Sequence, residues 1–319
     1  VIRQEALETF EKYKNTLLQD HKHKFWEHLQ KNIDPLKEAV NESIRELKEK
    51  TLHKKDIVYF QFSLLRIDML TRNYTVLLHA YDNMWYLDED PVSVTLKINF
   101  LFDTFNEVWD QLESESKRYV GKVNLYDVEN TMFQEAIYCN GLIAHSLRFI
   151  IKDIEKNEDF MAISKADLWV IRWGEYRDKS EIVIQRDRRK KDQKDWEKAL
   201  NTLKEKEDHL VASYWYQVDI KDGECKESQL YFIGFEKSHL TDIDFTQASL
   251  LGGQFNECEI KRCQFKGAIL KEADFRGSHF EEVEFEGADL TNAIFSQEKV
   301  PYLNLSPEQL QQIIIEDQM

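Results

Sequence analysis

The sequence predicts an α+β chain of several domains: a helical N-terminal domain, a small α/β bridging region, and a C-terminal solenoid closed by a short helix. Three observations predict this. Thirteen successive residues at every fifth position from Phe235 to Phe295 are Phe, Leu or Ile, and the residue two places before each is small or β-branched. The first half of the chain mixes charge with apolar residues three or four apart, the period of a helix. Beyond Phe160 the apolar segments shorten and become β-branched and aromatic, the texture of strands. The expected boundaries are 1–155, 156–230, 231–303 and 304–319.

The elements follow in chain order. Residues 2–33 space Phe10, Tyr13, Leu17, Phe25 and Leu29 among charges, and Asp34-Pro35 breaks them from a second charged helix ending near Lys50. More hydrophobic helices are expected over 57–80, 98–118 and 126–154. In the last, Val128, Met132, Ala136, Cys139, Ile143 and Leu147 share one face and predict core. Strands are expected at Leu168–Trp173, Glu181–Gln185, Tyr214–Ile220 and Gln229–Ile233. The turn Asp222-Gly223 suggests that the last two pair as a hairpin. Residues 186–208, nearly all charged apart from Trp196, Leu200 and Leu203, suit an exposed helix, and the bridging region seeds the first coil by edge pairing.

The repeat carries a second period. Phe235, Phe255, Phe275 and Phe295 form one column, Phe245, Phe265 and Phe285 another, and Leu250, Leu270 and Leu290 a third. Residues twenty apart match in kind, so four pentapeptides make one coil. With units such as Ala288-Asp289-Leu290-Thr291-Asn292 and Ala273-Asp274-Phe275-Arg276-Gly277, residues 231–303 resemble the pentapeptide-repeat proteins. That resemblance implies a right-handed quadrilateral β-helix with the i and i−2 side chains inside, here of just over three coils.

A solenoid must cover its last coil. Ser306 as N-cap, Pro307 at the first helical position and Gln309 completing a capping box predict a helix over 307–317. Leu310, Ile313 and Ile314 then share a face that either lies on the last coil or meets the same helix of a second chain as a homodimer.

Composition narrows the function classes. A net charge of −16 argues against a general nucleic-acid binder. Four cysteines, Cys139, Cys225, Cys258 and Cys263, show no metal spacing and read as reduced packing residues. The N-terminus carries no apolar leader and no stretch has membrane-span length, which predicts a cytoplasmic setting without membrane contact. No paired carboxylates, nucleophile motif or phosphate loop stands out, so neither a cofactor nor a metal is expected.

Several constellations remain. His21, His23 and His28 lie on the first helix, where His21 and His23 point apart and read as a solvated face. Arg72 and His79, seven residues apart on an expected helix, resemble the spacing of HEPN ribonucleases; pairing with a carboxylate such as Asp68 or Asp82 is the plainer account. On the solenoid exterior, residues 235–295 hold twelve acidic and six basic residues, a net of −6. Residues twenty apart oppose in sign: Asp242 with Arg262, Arg262 with Glu282, Lys261 with Glu281, and Lys266 with Glu286. The column His239, Glu259, His279 reads as a hydrogen-bonded ladder. Leu251 and Ile269, outward-facing on adjacent coils, form a small apolar patch.

These features predict a non-catalytic protein-binding scaffold, an immunity or regulatory protein whose binding surface includes Leu251, Ile269, Lys261, Arg262, Glu281 and Glu282. Because pentapeptide-repeat proteins known for quinolone resistance mimic duplex DNA, the resemblance implies an alternative, a modulator of gyrase or topoisomerase. A second alternative is a HEPN-like ribonuclease using Arg72 and His79.

Overall fold

The computed structural model describes residues 3–204 and 210–316. Residue 2, residues 205–208 and residue 317 of the expected helices lie outside the described residues. The chain divides into two compact units, Val1–Ala166 with Val170–Val183, and Asp167–Trp169 with Ile184–Met319.

The first unit opens with α1 (Arg3–Lys31) and α2 (Ile33–Lys50). The break falls at Asn32, whose backbone N–H bonds the carbonyls of His28 and Leu29 while its side chain also reaches His28 O at 2.8 Å. Pro35 is tolerated in the first turn of α2, where an N–H would lack an intrahelical partner. There follow β1 (Ile57–Leu64), α3 (Arg66–Met69), β2 (Thr75–Tyr81), β3 (Val92–Lys97), α4 (Asp103–Ser116), α5 (Leu125–Glu155), α6 (Glu158–Ala162), β4 (Lys165–Glu175) and β5 (Ser180–Asp187). The sheet order is β3-β2-β1-β4-β5, with β1 antiparallel to β2 and parallel to β4.

The expected helix over 57–80 is therefore two strands flanking the single helical turn α3. Phe60, Phe62 and Leu64 alternate with Tyr59, Gln61 and Ser63, a period of two, but nearly all these side chains are buried. A strand covered on both faces reads as a continuous apolar run, which periodicity does not separate from a buried helix. Phe60 packs on Phe160 at 5.1 Å and Phe62 on Trp173 at 5.5 Å between ring centroids. α5 begins on a full capping box, Asn124 with Asp127, and buries Val128, Met132, Ala136, Cys139, Ile143 and Leu147.

The second unit contains α7 (Gln193–Lys204), the solenoid strands β6 (Tyr214–Tyr216), β7 (Asp219–Glu224), β8 (Gly234–Glu236), β9 (His239–Asp244), β10 (Gln254–Asn256), β11 (Glu259–Lys261), β12 (His279–Glu281) and β13 (Ile294–Ser296), then α8 (Pro307–Gln312) and β14 (Ile314–Glu316). It is a β-helix of about five turns. Strands pair in parallel at a twenty-residue register: Trp215 opposes Phe235, Phe235 opposes Phe255, and Ile220 opposes Leu240.

The solenoid thus begins near Leu210. Trp215, Ile220, Cys225 and Leu230 occupy the interior positions of a first coil and are buried. Trp and Cys stand outside the Phe, Leu and Ile set, so the pattern looks shorter in sequence than it is. No hairpin forms at Asp222-Gly223: β6 and β7 each pair with the strand twenty residues on, and Asp222 is one of the corner residues. Residues 156–230 consequently do not make a separate bridging fold.

Corners recur every five residues from Ala212 to Asn292, each with a left-handed φ. That conformation costs a non-glycine residue roughly 1–2 kcal/mol. Hydrogen bonds from corner amides to the next coil offset it, as from Gln247 N to Lys266 O at 2.9 Å and Glu257 N to Arg276 O at 2.9 Å. Inside, Phe rings stack column on column: Phe235 on Phe255 at 5.6 Å, Phe255 on Phe275 at 4.8 Å and Phe275 on Phe295 at 4.8 Å. The inward Ser278 hydroxyl accepts from Cys258 N at 2.8 Å and donates to Phe255 O, so its burial leaves no orphan.

Both ends of this core are covered. α7 keeps its described charged side chains exposed but covers one end through Trp196, which is fully buried with its ring edge-on to Trp215 at 5.3 Å and to Phe235 at 6.0 Å. At the other end α8 carries the expected capping box of Ser306 and Gln309. Gln309 Nε2 donates to the carbonyls of Phe285 (2.7 Å) and Ala288 (2.9 Å). The helix stops at Gln312, however, and Ile314–Glu316 pairs with β13 as another parallel strand. β-branched Ile313-Ile314-Ile315 favours that extended course.

Candidate functional site

The β-helix holds its polar side chains in fixed columns, because residues twenty apart are neighbours about one strand spacing away. Three of the four expected opposite-sign pairs form. Arg262 donates from Nε and Nη2 to the two carboxylate oxygens of Asp242 at 2.6 and 2.7 Å. Lys261 lies 2.8 Å from Glu281, and Lys266 lies 2.5 Å from Glu286. Glu282 is passed over, since the Arg262 fork turns to the preceding coil. These contacts hold Asp242 and Glu281 below the usual carboxylate range and raise Lys261, Arg262 and Lys266, with the side-chain hydrogen bond as the largest cause in each case.

The neighbouring columns are polar too. His239 faces Glu259 at 3.5 Å, and His279 Nε2 lies 3.3 Å from Lys299 Nζ. The result is a wall of alternating charge. Ile269 is exposed and stands opposite Ser249, whereas Leu251 is half-buried and lies two residues further along its coil. The two share adjacent coils but not a register position. Leu310, Ile313 and Ile314 do not form one helical face: Leu310 ends up exposed on α8, Ile313 packs on the core, and Ile314 starts a strand. The single helical face that either the last coil or a second copy was to meet is therefore not formed.

In the first unit the structure separates Arg72 from His79. Arg72 sits in the turn before β2 with a φ of 57°, and His79 lies on β2. The turn aims the guanidinium at α4, where it meets Asp110 (3.1 Å), Glu113 (3.2 Å) and the Trp109 ring (4.1 Å to its centroid). The carboxylate partners are thus on α4, not Asp68 or Asp82. Without a helix the shared face of a HEPN-type pair does not exist, and that assignment fails on geometry.

His79 instead belongs to an aromatic cluster that the sequence does not announce. Its ring stacks on Tyr81 at 5.1 Å and on Tyr176 at 5.9 Å. Tyr59, Trp85 and Tyr86 continue the cluster, with Arg172 over Trp85 at 5.1 Å. Burial, then the charge of Arg177, lowers the His79 pKa, and burial pushes Tyr81 up to about 12. The His79 Nδ1 is buried without a hydrogen-bond partner. Gln61 Oε1, Ser63 Oγ, Trp85 Nε1 and Tyr86 OH share that condition. Three of these five residues, Gln61, Ser63 and His79, lie on one face of adjacent strands, since Gln61 opposes His79 in register.

The histidines of α1 also part company. His23 pairs with Glu27 at 3.2 Å on the surface, His28 Nε2 meets Phe100 O at 2.7 Å, and His21 turns inward to Glu135 at 2.8 Å. All four cysteines are free and buried. Among the described residues no helix is long and apolar enough to cross a membrane.

Residues 258–297 match the family model for pentapeptide repeats, in eight copies. Among solved structures, a pentapeptide repeat protein from the Arabidopsis thaliana thylakoid lumen is 22% identical over 28% of this chain and 71% of its own, with a TM-score of 0.20. HetL, a pentapeptide repeat protein involved in heterocyst differentiation regulation in Nostoc sp. strain PCC 7120, is 17% identical over 27% of this chain and 48% of its own, with a TM-score of 0.18. A trypsin-treated variant of QnrB1, a plasmid-mediated fluoroquinolone resistance protein, is 11% identical over 34% of this chain and 86% of its own, with a TM-score of 0.17. This chain thus spans about half the length of the HetL structure. A comparison with curated proteins gives no match. The family match lies wholly inside the solenoid.

Proposed function

We propose that the chain is a non-catalytic scaffold that presents the charged wall of its β-helix to a protein partner, as an immunity or regulatory protein does. The carrying observation is the set of inter-coil ion pairs: Arg262 with Asp242, Lys261 with Glu281 and Lys266 with Glu286. Each of these six charges is held by a neighbour one coil away on a backbone that is itself hydrogen-bonded coil to coil. A surface ordered before binding loses less side-chain entropy on docking. Complementary charge then sets the choice of partner and its rate of encounter more than the final affinity.

The alternation of sign weighs against a duplex-DNA mimic, which needs continuous negative potential. The basic residues Lys261, Arg262 and Lys266 interrupt the acidic wall in the middle coil. Supercoiling by a type II topoisomerase, with and without a quinolone, is expected to be unchanged at excess protein.

The test of the scaffold reading is quantitative capture of a partner from native extract, with the wild type beside a Lys261→Glu, Arg262→Glu double variant of matched folding. A partner retained by the wild type and lost by the variant is the expected result. Equal retention by both chains would remove the wall from the interface.

A further inference from the structure

Helices α1 and α5 bring three ligand-type side chains together inside the first unit. His21 is 1% exposed, Glu135 5% and Cys139 0%. Glu135 and Cys139 lie four residues apart on α5, one turn, and so project on the same side toward α1. One ligand atom from each residue lies within 4.8 Å of the other two. His21 Nδ1 is 2.8 Å from Glu135 Oε1, while His21 Nε2 is buried and has no hydrogen-bond partner. The rings of Phe25 and Phe105 stand 5.7 and 6.0 Å from the imidazole.

No protonation state pairs both ring nitrogens of His21 within the protein, so the site buries one unpaired ring atom before any ligand is considered. With one proton on Nδ1, the imidazole donates to Glu135 and leaves the Nε2 lone pair unsolvated. With both nitrogens protonated, an N–H is left instead, and either orphan is costly in an apolar site. Nor does the trio form a cysteine nucleophile with a histidine base. The Cys139 thiol is fully enclosed, and burial followed by the Glu135 charge pushes its pKa up, whereas an attacking cysteine needs an accessible thiolate.

We propose that His21, Glu135 and Cys139 bind one borderline-soft divalent transition metal ion, with zinc as the natural occupant. A thiolate, a carboxylate and a neutral imidazole sum to −2, so a +2 ion makes the enclosed site electrically neutral. Zinc takes these donors at about 2.0–2.3 Å, which sets ligand atoms roughly 3.4–3.8 Å apart, so a pair as far as 4.8 Å apart must close by about 1.0–1.4 Å and the His21 Nδ1–Glu135 pair at 2.8 Å must open by about 0.6 Å. Thiolate and imidazole donors select zinc, cobalt or copper over magnesium and calcium. On binding, the Cys139 proton leaves to solvent and the sulfur–metal bond forms, so affinity rises with pH. The ion ties α1 to α5 and stabilises the folded unit by mass action.

The test uses the full, tag-free chain, stripped with chelator and titrated first with Co²⁺ and then with Zn²⁺. One equivalent of cobalt is expected to produce a thiolate-to-cobalt charge-transfer band, zinc is expected to displace it, and zinc is expected to raise the melting temperature. Cys139→Ser is expected to abolish the band with an unchanged circular dichroism spectrum, Glu135→Gln to weaken binding at least about tenfold, and the surface change His23→Ala to leave both intact. No charge-transfer band in the folded wild type overturns the proposal even if Cys139→Ser does not fold. A band that survives Cys139→Ser also overturns it, by placing the ion on Cys225, Cys258 or Cys263.

Discussion

Phe255→Ala tests whether the solenoid is held by its stacked interior. The ring is fully buried and meets four others: Phe235 at 5.6 Å, Phe275 at 4.8 Å, Phe245 at 6.2 Å and Phe265 at 5.8 Å. Truncating a buried Phe costs about 3–5 kcal/mol, and the cost rises where the site cannot collapse. Collapse is resisted here, since Phe255 N bonds Asp274 O at 2.7 Å and Gln254 N bonds Ile233 O at 2.8 Å, fixing the coil spacing. The upper part of that range is expected. Phe280 provides the internal control: its ring touches Phe275, Phe285 and Phe295 but is only partly buried. Its truncation is expected to cost about half as much. Amide hydrogen exchange over residues 210–296, read by mass spectrometry, follows the solenoid separately from the first unit. A loss below about 1 kcal/mol for Phe255→Ala, or a loss for Phe280→Ala as large as that for Phe255→Ala, would refute the reasoning.

Two other consequences follow from the same coils. A methyl at Gly252 would lie 2.5 Å from the Phe232 ring, whereas at Gly267, with nearly the same left-handed φ, its nearest neighbour is Gln247 Cγ at 3.4 Å. Gly252→Ala is therefore expected to destabilise by about 1–2 kcal/mol more than Gly267→Ala in urea unfolding, and equal losses would show that backbone strain decides. Burial pushes Cys225 and Cys258 up to about 12 and Cys263 up to about 11 from an ordinary 9.0. Because the folded pKa is the higher one, the stability held by the neutral thiols is full below pH 9 and is lost as pH rises through 11–12. Native chains should resist a thiol reagent at pH 8, all four cysteines should react in denaturant, and Cys258→Ala should flatten the alkaline decline. Rapid labelling of the folded chain, or an unaltered decline in the variant, would contradict this.

The solenoid could be read from residue types alone, because each pentad places one large apolar residue and one small residue where only a closed interior can take them. Its charge ladder was legible for the same reason: a twenty-residue coil makes sequence distance equal to spatial distance. The N-terminal extent was not, since Trp215 and Cys225 fill interior positions without belonging to the repeat's usual set. The strands of residues 57–81 were also hidden, as burial on both faces of a sheet erases the alternation that marks a strand.

Tertiary structure alone decided what depends on residues far apart in the chain. His21 lies 114 residues from Glu135, and nothing in either local sequence marks the other as its partner. Trp196 reads as one apolar residue on a charged helix until the coil it covers exists. Periodic sequence encodes contacts at a constant separation, and so it determined the repeat and its outward charges. The helical unit's inner cluster and the caps arise from contacts with no repeating separation, and only the packed chain brings those side chains together.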